Sequence, residues 1–505
     1  MKSKKINYVE FYLILLLLIY PLIFTNSYSK LVETKYITFV IIAMSMIYFY
    51  VIKKVFFNIE DNNSLKFSLK SVLQSLSLID KLMLLYLIIS VISVLFSDYK
   101  IEAFTGSCSN NMGLIYTIIL VLVYFVISRS SFNKKNLLIA CSIGFILIVL
   151  FSTIQFMGYD LFGLLKTIKN NVLINYLSPL GNTNIYSSYL CLITPVFMTA
   201  SVLYDNTTAR WLSYLNAFVG YIGLFTANSD GGYVGFFAAF IVILFICAGR
   251  KERLIRFLYT CFWYCMASVF FVIIHKLFCN TARPLSDITR FMTYGIATKI
   301  GLILIVLLII VVSKTNLNEK NEILLRKIIR TIISCFLIFF LITVLVLNIF
   351  YDELSLGIFD QYLKFSNDWG TGRGYVWKWS LNIFENGTLP DKLFGYGTGT
   401  CGIKLLSAYG SEMKYSLGYY FTNSHNEYLE ILLNVGLIGL FSYLSVIILT
   451  IVKNFKRKNR LNIIFTVGVI AYCMQSFFIV MQPVVIPLLF AFLGLSNVKD
   501  ITDSN

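Results

Sequence analysis

Apolar runs recur along the chain at lengths that suit a bilayer, near residues 8–26, 36–52, 82–97, 112–128, 137–157, 184–204, 211–227, 232–249, 257–278, 292–313, 329–350, 427–452 and 462–481. A spanning helix needs about 20 such residues, so the pattern predicts about 13 transmembrane helices. A shorter stretch near 484–497, after Pro483, raises the expectation to 14 if it is tilted or re-entrant. The fold class expected is therefore an all-α integral membrane protein. The first run is followed by PLIFTNSYSK, which offers no small-residue cleavage site, and reads as the first span and not as a removed signal. No internal repeat stands out at a fixed period.

The polar intervals divide into two kinds. Every second one is basic: Lys53 and Lys54, Lys134 and Lys135, Arg250 to Arg256, Lys314 to Arg330, and the KNFKRKNR run from Lys453. Basic residues stay with the cytoplasm, which places the N-terminus (Met1 to Lys5) inside and alternate loops outside. On this orientation one interval is exceptional, an extracytoplasmic loop of residues 351–426. The expected organisation is 1–350 as N-terminal transmembrane helices, 351–426 as the large loop, and 427–505 as C-terminal helices. Long structureless loops are uncommon in compact proteins. This one reads as folded, since Tyr375, Trp379 and Ile383 recur on one helical face, with Arg373 just before the run. LPDKLFGYGTGT then breaks the helix at Pro390 and supplies Gly395, Gly397 and Gly399. Without a following Lys and Ser/Thr this is no P-loop, and turn glycines are the simpler reading.

Composition agrees. The chain is 58% hydrophobic and 13% charged, which excludes a soluble protein, and the net charge of +17 reflects loop topology and not a nucleic-acid partner. Of the ten cysteines, Cys108, Cys279 and Cys401 fall outside apolar segments, and one disulfide among them is possible. No Asp-x-Asp occurs in an outer loop, and no Cys-x-x-Cys or His pair stands at ligand spacing, so neither a metal nor another cofactor is expected.

The chain has two histidines, and His425 lies where the loop meets the helix after it, in Ser424-His425-Asn426-Glu427-Tyr428-Leu429-Glu430. Ser424 and Glu427 have capping-box spacing, predicting a helix that starts at His425. The positive end of a helix favours neutral imidazole, which can accept a proton. The plain alternative is an interfacial histidine bonded to loop carbonyls. Arg373 could meet an anion bidentately, or form a salt bridge with Asp368 or Glu385. Lys299, inside an apolar run, faces a site or snorkels.

The His-Asn opening of this helix, with Gly436 and Gly439 downstream, resembles the signature of the O-antigen ligase and polymerase superfamily. Thr371-Gly372-Arg373, Leu393 to Gly399, Gly181-Asn182-Thr183-Asn184, Ser97-Asp98 with Phe104, Gly106 and Gly113, and Glu33-Thr34-Lys35 fall in order where that family has similar elements. One stretch departs from it: Asn228-Ser229-Asp230-Gly231-Gly232 stands where the family has Ser-Arg-Gly, so an acid replaces an arginine. The resemblance implies a GT-C-like, metal-independent, inverting glycosyltransferase of the bacterial plasma membrane, with its site facing outward. The implied donor is an undecaprenyl-diphosphate-linked glycan and the acceptor a glycan or other surface group, with membrane lipid around it. His425 and Arg373 are the implied catalytic pair, and Arg290, Lys299, Asn426, Glu430 and Asn184 the implied substrate-binding set. A positioned base contributes about 10²- to 10⁴-fold. The competing class is a lipid-linked oligosaccharide flippase or other transporter, which should show two similar halves and short loops.

Overall fold

The computed structural model describes residues 7–25, 28–60, 74–107, 111–316, 318–350, 357 and 360–498. Among them there is no named strand, only one isolated bridge between Tyr176 and Asn182. Ten helices are long and apolar enough to cross a membrane: Leu31–Lys54, Leu78–Phe96, Lys135–Phe156, Thr183–Leu203, Asp230–Cys247, Lys251–Leu277, Ile296–Lys314, Glu319–Phe350, Glu427–Arg457 and Arg460–Phe478. Three predicted segments form shorter apolar helices, Tyr8–Leu22, Leu114–Ser128 and Ile486–Ser496. The run near 211–227 is the helix Thr207–Ala227, interleaved with Ser213, Asn216 and Thr226 and buried along one side against Thr183–Leu203.

The helices share one hydrophobic core, with Thr183–Leu203 and Ile486–Ser496 at its centre and nearly every residue of both buried. Small and hydroxylated residues make this possible. The Ser188, Cys191, Thr199 and Ser201 side chains in Thr183–Leu203 turn back to their own helix or to a neighbour, as Thr199 donates to the Pro195 carbonyl at 2.7 Å. By contrast Ile296–Lys314 and Glu319–Phe350 have no buried residue and lie at the edge. The first apolar segment is not one regular helix. It passes through a π turn into a 3-10 turn at Tyr20–Leu22, and the carbonyls released there are met by Lys35, which is 0% exposed and donates to Tyr20 O at 2.6 Å and Pro21 O at 2.9 Å. A lysine nitrogen is tolerated there because these carbonyls accept the hydrogen bonds that water would otherwise accept.

The segment before the histidine builds a separate small core. Helices Trp369–Asn386, Leu389–Phe394 and Cys401–Leu417 bury Val376, Trp379, Cys401, Leu405 and Met413 together with Phe421 and Leu433. The predicted aromatic face is present: the Tyr375 and Trp379 rings lie 5.3 Å apart, Trp379 stacks on Tyr409, and its indole N–H donates to Glu412 at 3.1 Å.

Candidate active site

The histidine helix is built differently from its capping-box expectation. Asn426 is the N-cap; its side-chain oxygen accepts from the N–H groups of Tyr428 (3.0 Å) and Leu429 (3.1 Å), and the helix begins at Glu427. Ser424 donates instead to the Asn426 carbonyl at 2.8 Å. Glu427 does not turn back to the cap because it has stronger partners deeper in the bundle. It is 1% exposed and accepts from Tyr443 at 2.6 Å and Tyr472 at 2.8 Å. His425 therefore stands outside the helix, in the left-handed region at φ +47, its N–H bonded to the Asn423 side chain at 3.0 Å and its ring edge-on to Phe421. Burial, followed by the charge of Arg373, pushes its imidazole down to about 4. The ring is neutral at physiological pH, as the sequence predicts, but desolvation and a neighbouring guanidinium hold it so.

Arg373 is positioned by a sharp turn. Gly370, Thr371 and Gly372 all have positive φ, and regular helix resumes at Arg373. Tyr419 holds this turn by donating to the Thr371 carbonyl at 3.2 Å. Gly374 is required because any Cβ there would collide with the Ser366 carbonyl. The guanidinium forms no ion pair with Asp368 or Glu385. Its electrostatic neighbours are His425 and Asp230, and burial opposes its charge while Asp230 favours it.

Asp230 opens the helix Asp230–Cys247 and is exposed. Around it Ser286 lies 3.5 Å from its carboxylate, the Ser286 N–H donates to Asn228 at 2.8 Å, and Ser229 donates to Asn184 Oδ1 at 2.7 Å. Asn184 is thus brought to this end of the bundle with its amide oxygen engaged.

The other sequence-derived residues divide. Glu430 is 8% exposed, one turn into the histidine helix, and its Oε2 has no hydrogen-bond partner. Arg290 lies one turn beyond Ser286, exposed, and makes no hydrogen bond or ion pair with His425, Arg373 or Asp230 through its side chain. Lys299 is exposed and reaches back to the Tyr294 carbonyl at 3.5 Å. His275 has both ring nitrogens engaged, one with the Tyr294 hydroxyl at 2.8 Å and one with the Arg283 carbonyl at 3.3 Å. Of the cysteines raised as disulfide candidates, Cys279 is unpaired with sulfur, Cys401 is buried, and Cys108 lies outside the described residues.

The glycine turn that follows Pro390 is a clasp. The histidine helix breaks at Gly436 (φ 68, ψ −173), and the carbonyls released there accept from Tyr396 N–H at 2.8 Å (Leu433 O) and Gly397 N–H at 3.1 Å (Asn434 O). Ser93 also donates to Asn434 O at 2.6 Å, and the Asn434 side chain accepts from the Cys401 N–H at 2.9 Å. On the far side Ser97 donates to Tyr396 O at 2.6 Å, Thr398 to Ala103 O at 2.6 Å, and Lys404 pairs with Asp98 at 3.2 Å. The turn locks the segment carrying Arg373 to the helix carrying His425. The sequence marks Glu427 only as a capping-box partner and gives no sign of Asn434, because the tyrosines and backbone that engage them are distant in the chain.

Residues 288–444 match the family model described as O-Antigen ligase. Over this stretch the chain is similar to the O-antigen ligase family. The ligase segment contains Arg290, Lys299, Arg373, His425 and the Gly436 break, whereas Asn184 and Asp230 precede it. No curated protein matches the chain. The match and the apolar helices together support a multi-pass bacterial membrane protein of polysaccharide biosynthesis, and the matched family implies ligase- or polymerase-type glycosyl transfer between lipid-linked glycans and polysaccharide acceptors in general. It does not favour the flippase alternative.

Proposed function

We propose that the protein transfers or polymerises a glycan carried on undecaprenyl diphosphate, at the outer face of the cytoplasmic membrane, by an inverting and metal-independent displacement. The observation that carries this reading is the pairing of Arg373 with an uncharged His425 at one end of the bundle. In the reaction an acceptor hydroxyl attacks the anomeric carbon, the bond from that carbon to the diphosphate oxygen breaks, and the hydroxyl proton passes to His425. Arg373 meets the departing diphosphate, to which a guanidinium is matched in shape and permanently in charge. In this reading residues 1–350 and 427–505 form the membrane body and 351–426 the extracytoplasmic part. Asn426 and Glu430 orient the first turn beneath His425, Asn184 holds the Asp230 end in register, and Arg290 and Lys299 are outlying cations toward which the sugar-diphosphate could extend.

A bare imidazole with a pKa near 4 is a weak base. Donor binding acts on the smaller of the two causes: burial still holds the ring down, but a diphosphate beside Arg373 offsets the guanidinium charge, so the pKa rises in part when the substrate arrives. The reading is tested with purified protein, a lipid-diphosphate glycan and an acceptor glycan. Lengthened or transferred product from the wild type and none from His425→Ala supports it, while normal surface glycan from a well-inserted His425→Ala protein in a deletion strain overturns the base assignment.

A further inference from the structure

At the end of the bundle opposite His425 lies a cavity of about 740 Å³ lined by Lys54, Arg129, Lys453, Lys456 and Arg457, with Asp80 as the one carboxylate among the described residues that line it. The opposite placement follows from the helices themselves, since Glu427–Arg457 starts beside His425 and ends here, and Leu78–Phe96 runs from here to the clasp at Ser97. Three stretches distant in sequence bring the cations together. Lys54 lies near the end of the helix Leu31–Glu60, Arg129 caps Leu114–Ser128, and Lys456 and Arg457 occupy the last turn of Glu427–Arg457 with Lys453 just before it.

Loop topology explains why basic residues lie on this side, and helix C-termini attract cations in general. Neither explains their convergence on one cavity with so little opposing charge among the described residues. Asp80 is committed: it closes a capping box with Ser77, accepts from Tyr124 at 3.0 Å and pairs with Arg129 at 3.2 Å. Lys453 donates to Asn497 at 3.0 Å. Lys54, Lys456 and Arg457 have no carboxylate partner among the described residues, and all three are exposed. Ser75, Ser77 and Ser131 add hydroxyls at the rim. Beneath this polar mouth the wall is apolar and open to the surroundings: Leu78 is 62% and Val452 40% exposed, with Leu449 between the polar and buried layers. A cationic mouth over an exposed apolar wall matches an amphiphile with an anionic head and hydrocarbon tails.

We propose that this cavity binds the phosphate-bearing headgroup of an anionic lipid, with Lys54, Lys456 and Arg457 on the phosphate and the acyl chains along Leu78 and Val452. The same cations would suit free phosphate, and the apolar wall is what favours the lipid. The site is separate from the glycan chemistry and does not depend on that reading.

The test is lipid retention by the full chain in detergent, read by native mass spectrometry, with phosphatidylglycerol against phosphatidylcholine as probes. Each basic side chain near an anionic headgroup contributes enough that removing three weakens retention roughly 100-fold. The expected result is preferential retention of phosphatidylglycerol by the wild type, its loss in Lys54→Gln/Lys456→Gln/Arg457→Gln, and no change in Lys314→Gln/Lys320→Gln/Lys327→Gln, which removes three exposed lysines elsewhere. Equal retention of the two lipids, or equal loss in both triple variants, overturns the proposal. Displacement of the lipid by millimolar inorganic phosphate overturns the lipid as the source. If the first triple variant does not insert, amine acylation of the wild type decides: Lys54 and Lys456 are shielded by phosphatidylglycerol and not by phosphatidylcholine, and unshielded lysines overturn the site.

Discussion

Tyr396 donates its backbone N–H to the Leu433 carbonyl at 2.8 Å, closing the break that Gly436 makes in the histidine helix. A backbone break inside a membrane helix is tolerated only where the released carbonyls find partners, and here the loop supplies them. Arg373 and His425 lie 52 residues apart in the chain, and this clasp ties the segment that carries one to the helix that carries the other through hydrogen bonds.

Gly436→Ala is expected to damage that clasp. The φ/ψ pair is one that only glycine adopts freely, and a Cβ there would strike the Leu393 backbone. Strain of about 1–3 kcal/mol is expected for the dihedrals alone. The variant should insert in normal amounts, melt at lower temperature in detergent and lose most transfer activity. A melting temperature equal to the wild type would show that the clasp is not under this constraint.

Arg373→Lys keeps the charge and removes the fork. Charge-assisted bonds to a phosphate are worth about 1.5–3 kcal/mol each, so losing the second of a bidentate pair predicts a fall in turnover of roughly 10- to 100-fold with unchanged expression. Steady-state kinetics with a lipid-diphosphate donor measure it, and near-normal turnover would make Arg373 a structural residue.

The pH profile follows from the sign of the His425 shift. Its pKa is lowered to about 4, so the free protein keeps a neutral imidazole as pH falls through the ordinary histidine range near 6.5 and charges it only near 4. The acid limb of kcat/KM should therefore lie near pH 4. The acid limb of kcat should lie higher, because it reports the complex in which bound diphosphate offsets Arg373. Stability has the same sign: an unfolded chain protonates this histidine first, so folding weakens as pH drops from about 6.5 toward 4 and His425→Gln should lessen that slope.

Asp230 faces Arg373 at the position where a family arginine is expected, and its carboxylate competes with an incoming diphosphate for the guanidinium. Because Asp230 is exposed, the competition is screened and modest. Asp230→Asn should lower the donor KM by up to about fivefold with kcat little changed. A raised KM would instead mean that Asp230 orients Arg373 for binding.

Glu427 joins its own helix to Arg460–Gln475 through Tyr472. Glu427→Ala leaves two buried hydroxyls, those of Tyr443 and Tyr472, without their acceptor, at a cost of about 1–3 kcal/mol each. The melting temperature should fall more than in Tyr443→Phe, which removes one hydroxyl and leaves Glu427 its second donor.

Hydrophobic run lengths alone determined that the chain is helical and membrane-embedded, because a bilayer accepts little else and the number of apolar residues is set by its thickness. The polar loop motifs pointed to His425, Arg373 and the glycine turn, since histidine and arginine are scarce enough outside the basic loops to be noticed. Which residues stand beside one another was decided by tertiary structure. The cap moved from Ser424 to Asn426 because Glu427 found two phenols deeper in the bundle, and such partners, 16 and 45 residues away, leave no local pattern. The Gly436 break, the seating of Tyr396 against it, and the placing of Asp230 by Arg373 depend on surfaces that exist only after the helices pack. Local periodicity specifies each helix, but long-range hydrogen bonds and charge contacts specify the site.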